Sequence, residues 1–264
     1  MSSPGLPLIV GNWKMHGLGA DLTVARQVAA SLRERPARAR VAICPPDTLI
    51  ARMAAALNGT DVLVGGQNIR PEIDGAFTGD VSAEMLADAG ARLVILGHSE
   101  RRSTYGETDA MVAQKVRAAW RGGLEPIVCV GESAAERRAG RAVQVISDQL
   151  SRSLPPELGG PAFAVAYEPI WAIGSGETAD LDQIEEAHAG LRHALLQILG
   201  EAGRAVPILY GGSATPDNAA STLGTAEVGG ALVGGASLQA QEFLAIIRAS
   251  GDFAPKSGDR LPLD

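Results

Sequence analysis

The sequence predicts a single α/β domain, a (β/α)8 barrel of parallel strands inside an outer ring of helices. Three observations carry that prediction. Short apolar runs alternate with longer amphipathic ones from end to end, and there are eight such pairs. Spread over 264 residues, they give units of about 33, room for one strand, one helix and their loops. Strict alternation implies parallel strands joined by right-handed crossovers. The count discriminates: six units would more naturally build an open doubly wound sheet, whereas eight close a barrel.

In chain order the strands are "LPLIVGNW", "RVAICP", "DVLVGG", "RLVILG", "EPIVCVG", "FAVAYE", "VPILYGG" and "GGALVGG". Each is short, mostly rich in Val, Ile or Leu, and bounded by Gly or Pro, as strands buried on both faces should be. "ADLTVARQVAASLRER" reads as the helix after the first strand, with the short "SAEML" after the third and "DAMVAQKVRAAWR" after the fourth. "AAERRAGRAVQVISDQLSRSL" reads as one long helix after the fifth. In "DLDQIEEAHAGLRHALLQILG", after the sixth, Ile184, Ala187, Leu191 and Leu195 recur at helical spacing. That leaves Glu185, Glu186, Arg192 and His193 for the wet side. "PDNAASTL" follows the seventh strand. The barrel is assigned residues 1–249; from Ser250 the segment "SGDFAPKSGDRLPLD" loses periodicity and is assigned to a polar tail, 250–264.

Composition narrows the function classes. With 46% hydrophobic and 20% charged residues the chain is an ordinary globular one. The formal charge is -7 and the arginines are scattered, which gives no nucleic-acid footprint. Cys44 and Cys129 lie far apart inside apolar runs and read as buried free thiols, with no metal-ligand spacing. The N-terminus lacks the basic-then-apolar pattern of a signal peptide, and no run approaches the ~18 apolar residues of a membrane helix. A reducing, cytoplasmic setting is the expectation.

In a barrel of this kind the active site forms where the strands end, so the polar residues at those ends matter most. Strand one ends in Asn12 and Lys14 ("GNWKM"), and strand four in "GHSERR", which offers His98, Ser99 and Glu100. Strand six ends in Glu168; the ends "CPPD", "GGQN" and "CVGE" are less telling. Strands seven and eight end in "YGGS" and "VGGAS". Glycines 211, 212, 234 and 235 let backbone N–H groups approach an anion with no Cβ in the way. Either Gly pair alone could simply make a tight turn, but two on adjacent strands point to phosphate. His98 follows an apolar strand where a helical turn can begin, and a ring there is pushed towards its neutral form. After Glu168 comes a greasy loop, Pro169 to Gly176, carrying Ile170, Trp171 and Ile173. An apolar loop beside a carboxylate suits a lid that folds over a small ligand and excludes water. Pro169 and the Gly174–Ser175–Gly176 run are its candidate hinges.

The motifs "GNWKM", "GAFTGD", "GHSERR", "YGETD", "CVGE", "AYEPIWAIGSGETA", "LYGGSA" and "LVGGASL" resemble, in order, those of the triosephosphate isomerase family. The resemblance runs to about residue 249, and eight motifs in register make it specific. It implies interconversion of dihydroxyacetone phosphate and glyceraldehyde 3-phosphate without metal or organic cofactor. In the family's familiar division of labour, Glu168 moves the carbon-bound proton and neutral His98 serves the oxygens of the enediolate. Lys14 supplies positive charge and Asn12 orients the carbonyl side. The resemblance further implies phosphate held by backbone N–H groups of Gly174, Ser213, Gly234 and Gly235, with Ser99 and Glu100 in support.

It also implies a homodimer in which the 69–80 loop enters the partner and Thr78 reaches the neighbouring site. Ala76 and Phe77 on an otherwise exposed loop fit that picture. Four positions depart from the common pattern: Asp80, where a pair with Arg101 would be shortened, Ser175, Glu177 and Gly229. Two rivals stand beside this reading. One is an isomerase of a four-carbon ketose phosphate, which would need a remodelled lid. The other is a barrel that binds phosphate ligands or partner proteins without turnover.

Overall fold

The computed structural model describes residues 5–156, 162–173 and 178–251. Its strands are β1 (Leu8–Asn12), β2 (Arg40–Cys44), β3 (Val62–Gly66), β4 (Leu93–Leu96), β5 (Glu125–Val130), β6 (Ala164–Tyr167), β7 (Ile208–Tyr210) and β8 (Gly230–Val233). Each pairs in parallel with its sequence neighbours, and β1 closes on β8 through Leu8↔Gly230 to Gly11↔Val233. All eight predicted strands are present and the sheet is a closed barrel, not an open one.

Side chains alternate across each strand, so one set fills the barrel and the other meets the helices. The inner set is Leu8, Val10, Ala42, Cys44, Leu93, Ile95, Ile127, Cys129, Ala164, Ala166, Leu209 and Leu232, all buried. Small residues alternate with bulky ones, which fills the interior without strain. Both cysteines belong to this set as buried free thiols, and burial pushes the Cys44 thiol well up. Carried one step further towards the strand C-termini, the same inward phase reaches Asn12, Gly97, Gly131, Glu168, Gly211 and Gly234. Four glycines therefore open the mouth of the barrel, and the two side chains with reach in that set, Asn12 and Glu168, are polar.

The helices are α1 (Leu22–Glu34), α2 (Asp47–Ala56), α3 (Ala83–Asp88), α4 (Ser99–Tyr105), α5 (Asp109–Arg121), α6 (Ala134–Arg138), α7 (Ala142–Ser153), α8 (Leu181–Leu199), α9 (Ala219–Leu223) and α10 (Ala240–Gly251). In α8 the predicted stripe Ile184, Ala187, Leu191 and Leu195 is buried, and Asp180 and Gln183 cap its start reciprocally. None of the described helices is long and apolar enough to cross a membrane.

Three details differ from the sequence reading. The stretch 134–154 is two helices, because Gly140 takes a left-handed φ of 67° and ends the first. Arg192 does not face water: its guanidinium donates to the carbonyls of Gly203 and Val206 and pairs with Glu227. The last helix runs to Gly251, two residues into the segment assigned to the tail, with the Ser250 hydroxyl buried and donating to the Ile247 carbonyl. The rest of that segment, 252–264, lies outside the described residues.

Candidate active site

Glu168 follows β6 and is fully buried. Its backbone N–H donates to the Val130 carbonyl at 2.8 Å, tying it to the neighbouring strand. One carboxylate oxygen accepts the Ser99 N–H at 2.9 Å; the other lies 3.3 Å from the Ser99 hydroxyl and 2.9 Å from His98 Nε2. Glycine is needed beside it. A Cβ on Gly131 would sit 2.0 Å from the Glu168 carbonyl oxygen, and one on Gly211 3.1 Å from Glu168 Cγ.

His98 is the N-cap of α4, where its Nδ1 accepts the Glu100 N–H at 3.3 Å. A ring nitrogen that accepts carries no proton, which leaves Nε2 as the N–H that faces Glu168. Glu100 continues the chain outward: one oxygen lies 3.6 Å from His98 Nδ1 and the other pairs with Lys14 Nζ at 2.7 Å. Desolvation works upward on the Glu100 carboxyl, but the hydrogen bond and charge of Lys14 hold it below the usual carboxylate range. Lys14 pairs with the Glu100 carboxylate, the Glu100 backbone N–H donates to His98, and His98 Nε2 faces Glu168, so the four residues form one polar cluster from solvent to the buried carboxylate. Glu168 pairs with neither Lys14 nor Arg101.

Lys14 sits at φ 52°, a left-handed conformation that costs a non-glycine residue about 1 kcal/mol or more. The surroundings impose it. Its N–H donates to Asn12 Oδ1 at 3.0 Å and its carbonyl accepts Gln67 Nε2 at 2.8 Å, while the same Gln67 nitrogen donates to the Cys44 carbonyl at 2.9 Å.

Asn12, Lys14, His98, Glu100, Ser213, Gly234 and Gly235 line a cavity of about 460 Å³. Ala172 and Ile173, from the apolar loop, complete the rim. The predicted residues converge, with two qualifications. Glu168 is turned away from the cavity, beneath His98 and Ser99, and Gly174 lies outside the described residues with Ser175, Gly176 and Glu177.

The near end of that loop is anchored. Pro169 leads into a 3-10 turn, Ile170–Ala172, and the Ile170 N–H donates to the Glu132 carbonyl at 3.2 Å. The fully buried Glu132 Oε1 accepts from the Trp171 indole at 2.9 Å, the Tyr167 hydroxyl at 3.0 Å and Arg137 Nε at 3.0 Å. Gln67 and Glu132 are the functional neighbours that sequence reasoning passed over. The one available signal was that each is polar and follows a buried strand.

On the 69–80 loop, Asp80 pairs with Arg70 at 2.8 Å and not with Arg101, which pairs with Glu107 at 2.5 Å and lies over the Tyr105 ring. Arg70 also stacks on Phe77, 3.8 Å from the ring centre, so Phe77 is half-buried by its own loop. Thr78 is exposed.

A family model described as triosephosphate isomerase matches residues 7–250. The triosephosphate isomerase of Caulobacter vibrioides is 58% identical over 92% of this chain and 96% of its own length. That of Xanthobacter flavus is 53% identical over 95% and 100%. The crystal structure of triosephosphate isomerase from Bartonella henselae superposes with a TM-score of 0.85 at 43% identity, covering 92% of this chain and 98% of that one.

Proposed function

The chain belongs to the triosephosphate isomerase family, and we propose how its residues carry out the reaction that membership assigns to it, interconversion of dihydroxyacetone phosphate and D-glyceraldehyde 3-phosphate in glycolysis. The same step run in reverse serves gluconeogenesis. Glu168 leaves Ser99, turns into the cavity and takes a proton from the carbon beside the carbonyl. The electron pair moves onto oxygen as an enediolate, and the proton returns to the neighbouring carbon. His98 Nε2–H stabilises the developing oxyanion and passes protons between the two oxygens. Lys14 adds fixed positive charge and Asn12 orients the carbonyl side. Backbone N–H groups of Ser213, Gly234 and Gly235, with Gly174 from the lid, hold the phosphate. Ser99 and Glu100 keep Glu168, His98 and Lys14 in register.

The cluster of Lys14, Glu100, His98 and Glu168 is the observation that carries this reading. It holds Glu168 and His98 Nε2 2.9 Å apart beside a cavity of a size for a small sugar phosphate, which supports pairing them as base and donor. Both proton transfers run between substrate and side chains, so the chemistry asks for no metal or organic cofactor. Closing the Pro169–Gly176 loop would exclude water and keep the enediolate from expelling phosphate. We further propose a cytoplasmic homodimer joined through the 69–80 loop, with Thr78 directed at the neighbouring site. Exposed Met15, Leu18, Ile73 and Met85 support an apolar contact of that kind.

A coupled assay with purified protein and glyceraldehyde 3-phosphate tests the mechanism. Glu168→Asp withdraws the carboxylate by one methylene and should lower kcat by about 100-fold or more with little change in KM. An unchanged rate rejects the assignment of the base. Turnover of a four-carbon ketose phosphate at a comparable rate would favour the larger substrate instead.

A further inference from the structure

His188 is the one fully buried histidine in the described structure, and the mechanism above gives it no role. It lies on the inner face of α8, in register with Ile184 and Leu191. Its Nδ1 contacts the Ile184 carbonyl at 2.8 Å, and its Nε2 makes no well-formed hydrogen bond among the described residues, with the Leu209 backbone the nearest polar neighbour to the ring besides Ile184. Burial lowers this imidazole to about 4, so the ring is neutral at ordinary pH.

Its neighbours are specific. The ring meets Tyr167 edge-on, with centroids 5.6 Å apart at 84°, and tilts against Tyr210 at 6.4 Å and 38°. Tyr167 is the residue before Glu168, and Tyr210 is the residue before the Gly211–Gly212 turn. The two strand ends meet directly under the base. The Gly211 N–H donates to the Tyr167 carbonyl at 2.7 Å, and a Cβ on Gly211 would crowd the Tyr167 carbonyl oxygen at 3.0 Å and Glu168 Cγ at 3.1 Å. Tyr167 is pinned at its far end by Glu132 and Arg137, so its ring cannot slide along the strand to absorb a change behind it.

We infer that His188 is a positioning residue for Glu168, a wedge between the Tyr167 and Tyr210 rings that fixes the relative height of the β6 and β7 ends. Its removal lets those ends shift by a few tenths of an ångström. A displacement of that size at a proton-transferring carboxylate lowers kcat, while phosphate binding by Gly234 and Gly235, which follow β8, is kept. This rests on Glu168 being the base.

His188→Leu keeps the volume roughly but removes the flat ring, whereas His188→Phe keeps the ring and removes both nitrogens. With each variant shown to be folded at the assay temperature, His188→Leu should lower kcat five- to twentyfold and leave KM within twofold. His188→Phe should recover kcat to within threefold of the parent. A residue serving only the core would instead change thermal stability and leave kcat alone, and that result overturns the inference. So does a fall in kcat that Phe fails to rescue. Should His188→Leu not fold, Tyr210→Leu removes the other side of the same contact and is held to the same split between kcat and KM. Glu168→Asp run in parallel separates the two failures: if it retains full activity, the base is wrong. If it is impaired while the wedge variants are not, only the wedge is wrong.

Discussion

His188 also gives the molecule an acid-side signature that belongs to one residue. In the unfolded chain an imidazole binds its proton near 6.5, but in the folded protein burial delays this to about 4. Between those values the unfolded state holds more protons, so stability falls as pH falls through the window. Each pH unit is worth about 1.4 kcal/mol, and the window amounts to on the order of 3 kcal/mol. The nearby charges are those of Arg192, which disfavours the imidazolium, and Glu227, which favours it. Urea denaturation at fixed protein concentration should therefore show stability falling between pH 6.5 and 4.5. The fall should be shallower by about one proton in His188→Phe; equal slopes would mean that His188 is charged in the folded state. Residues differ in how far they announce themselves in sequence. Asn12, Lys14, His98 and Glu168 were legible because each breaks an apolar strand at the end where such barrels do chemistry. Gln67 and Glu132 stand at equivalent places yet were not, since their importance comes from groups that converge from elsewhere. For Gln67 these are the Lys14 and Cys44 carbonyls; for Glu132, Trp171, Tyr167 and Arg137.

Barrel closure depends on a close approach of β1 to β8. Gly230 adopts φ +148°, and a Cβ there would lie 2.0 Å from the Leu8 carbonyl oxygen and 2.8 Å from the Leu8 nitrogen. Neither atom is the yielding end of a side chain, so Gly230→Ala must part the two strands. The expected loss is at least about 3 kcal/mol. Gly59 offers the contrast: its φ is also positive, +76°, but nothing lies within 4 Å of an added Cβ. Gly59→Ala should cost only the backbone term, about 1–2 kcal/mol. Denaturant midpoints for the two variants measure the difference, and equal losses would mean that the seam tolerates separation. Strands were the readable elements, because burial on both faces leaves a dense apolar run between Gly and Pro. Helix limits were less so. The break at Gly140 and the inward turn of Arg192 depend on a left-handed residue and on carbonyls 11 and 14 residues away, and helical periodicity senses neither.

At the scale of the whole molecule, the surface to explain is the 69–80 loop and its surroundings. Arg70 braces the loop internally through Glu72, Asp80 and the Phe77 ring, and the loop presents Ile73 and Thr78 outward. A loop braced in this way loses less entropy on docking than an unbraced one, which favours a specific partner over loose association. The proposed homodimer then predicts that the protein sediments as two chains, and that Ile73→Asp weakens association at least 100-fold. If each site needs its neighbour, activity in that variant should return as concentration rises. A fully active monomer in the parent protein would remove the homodimer from the reading. Salt separates the kinds of interface. Each chain carries a formal charge of -7, which repels its copy at long range. Were the contact held by ion pairs, added salt would loosen it. Because Ile73 on the loop and Met85 beside it are exposed apolar residues, screening should remove repulsion without touching the attraction. The dimer should therefore tighten as ionic strength rises.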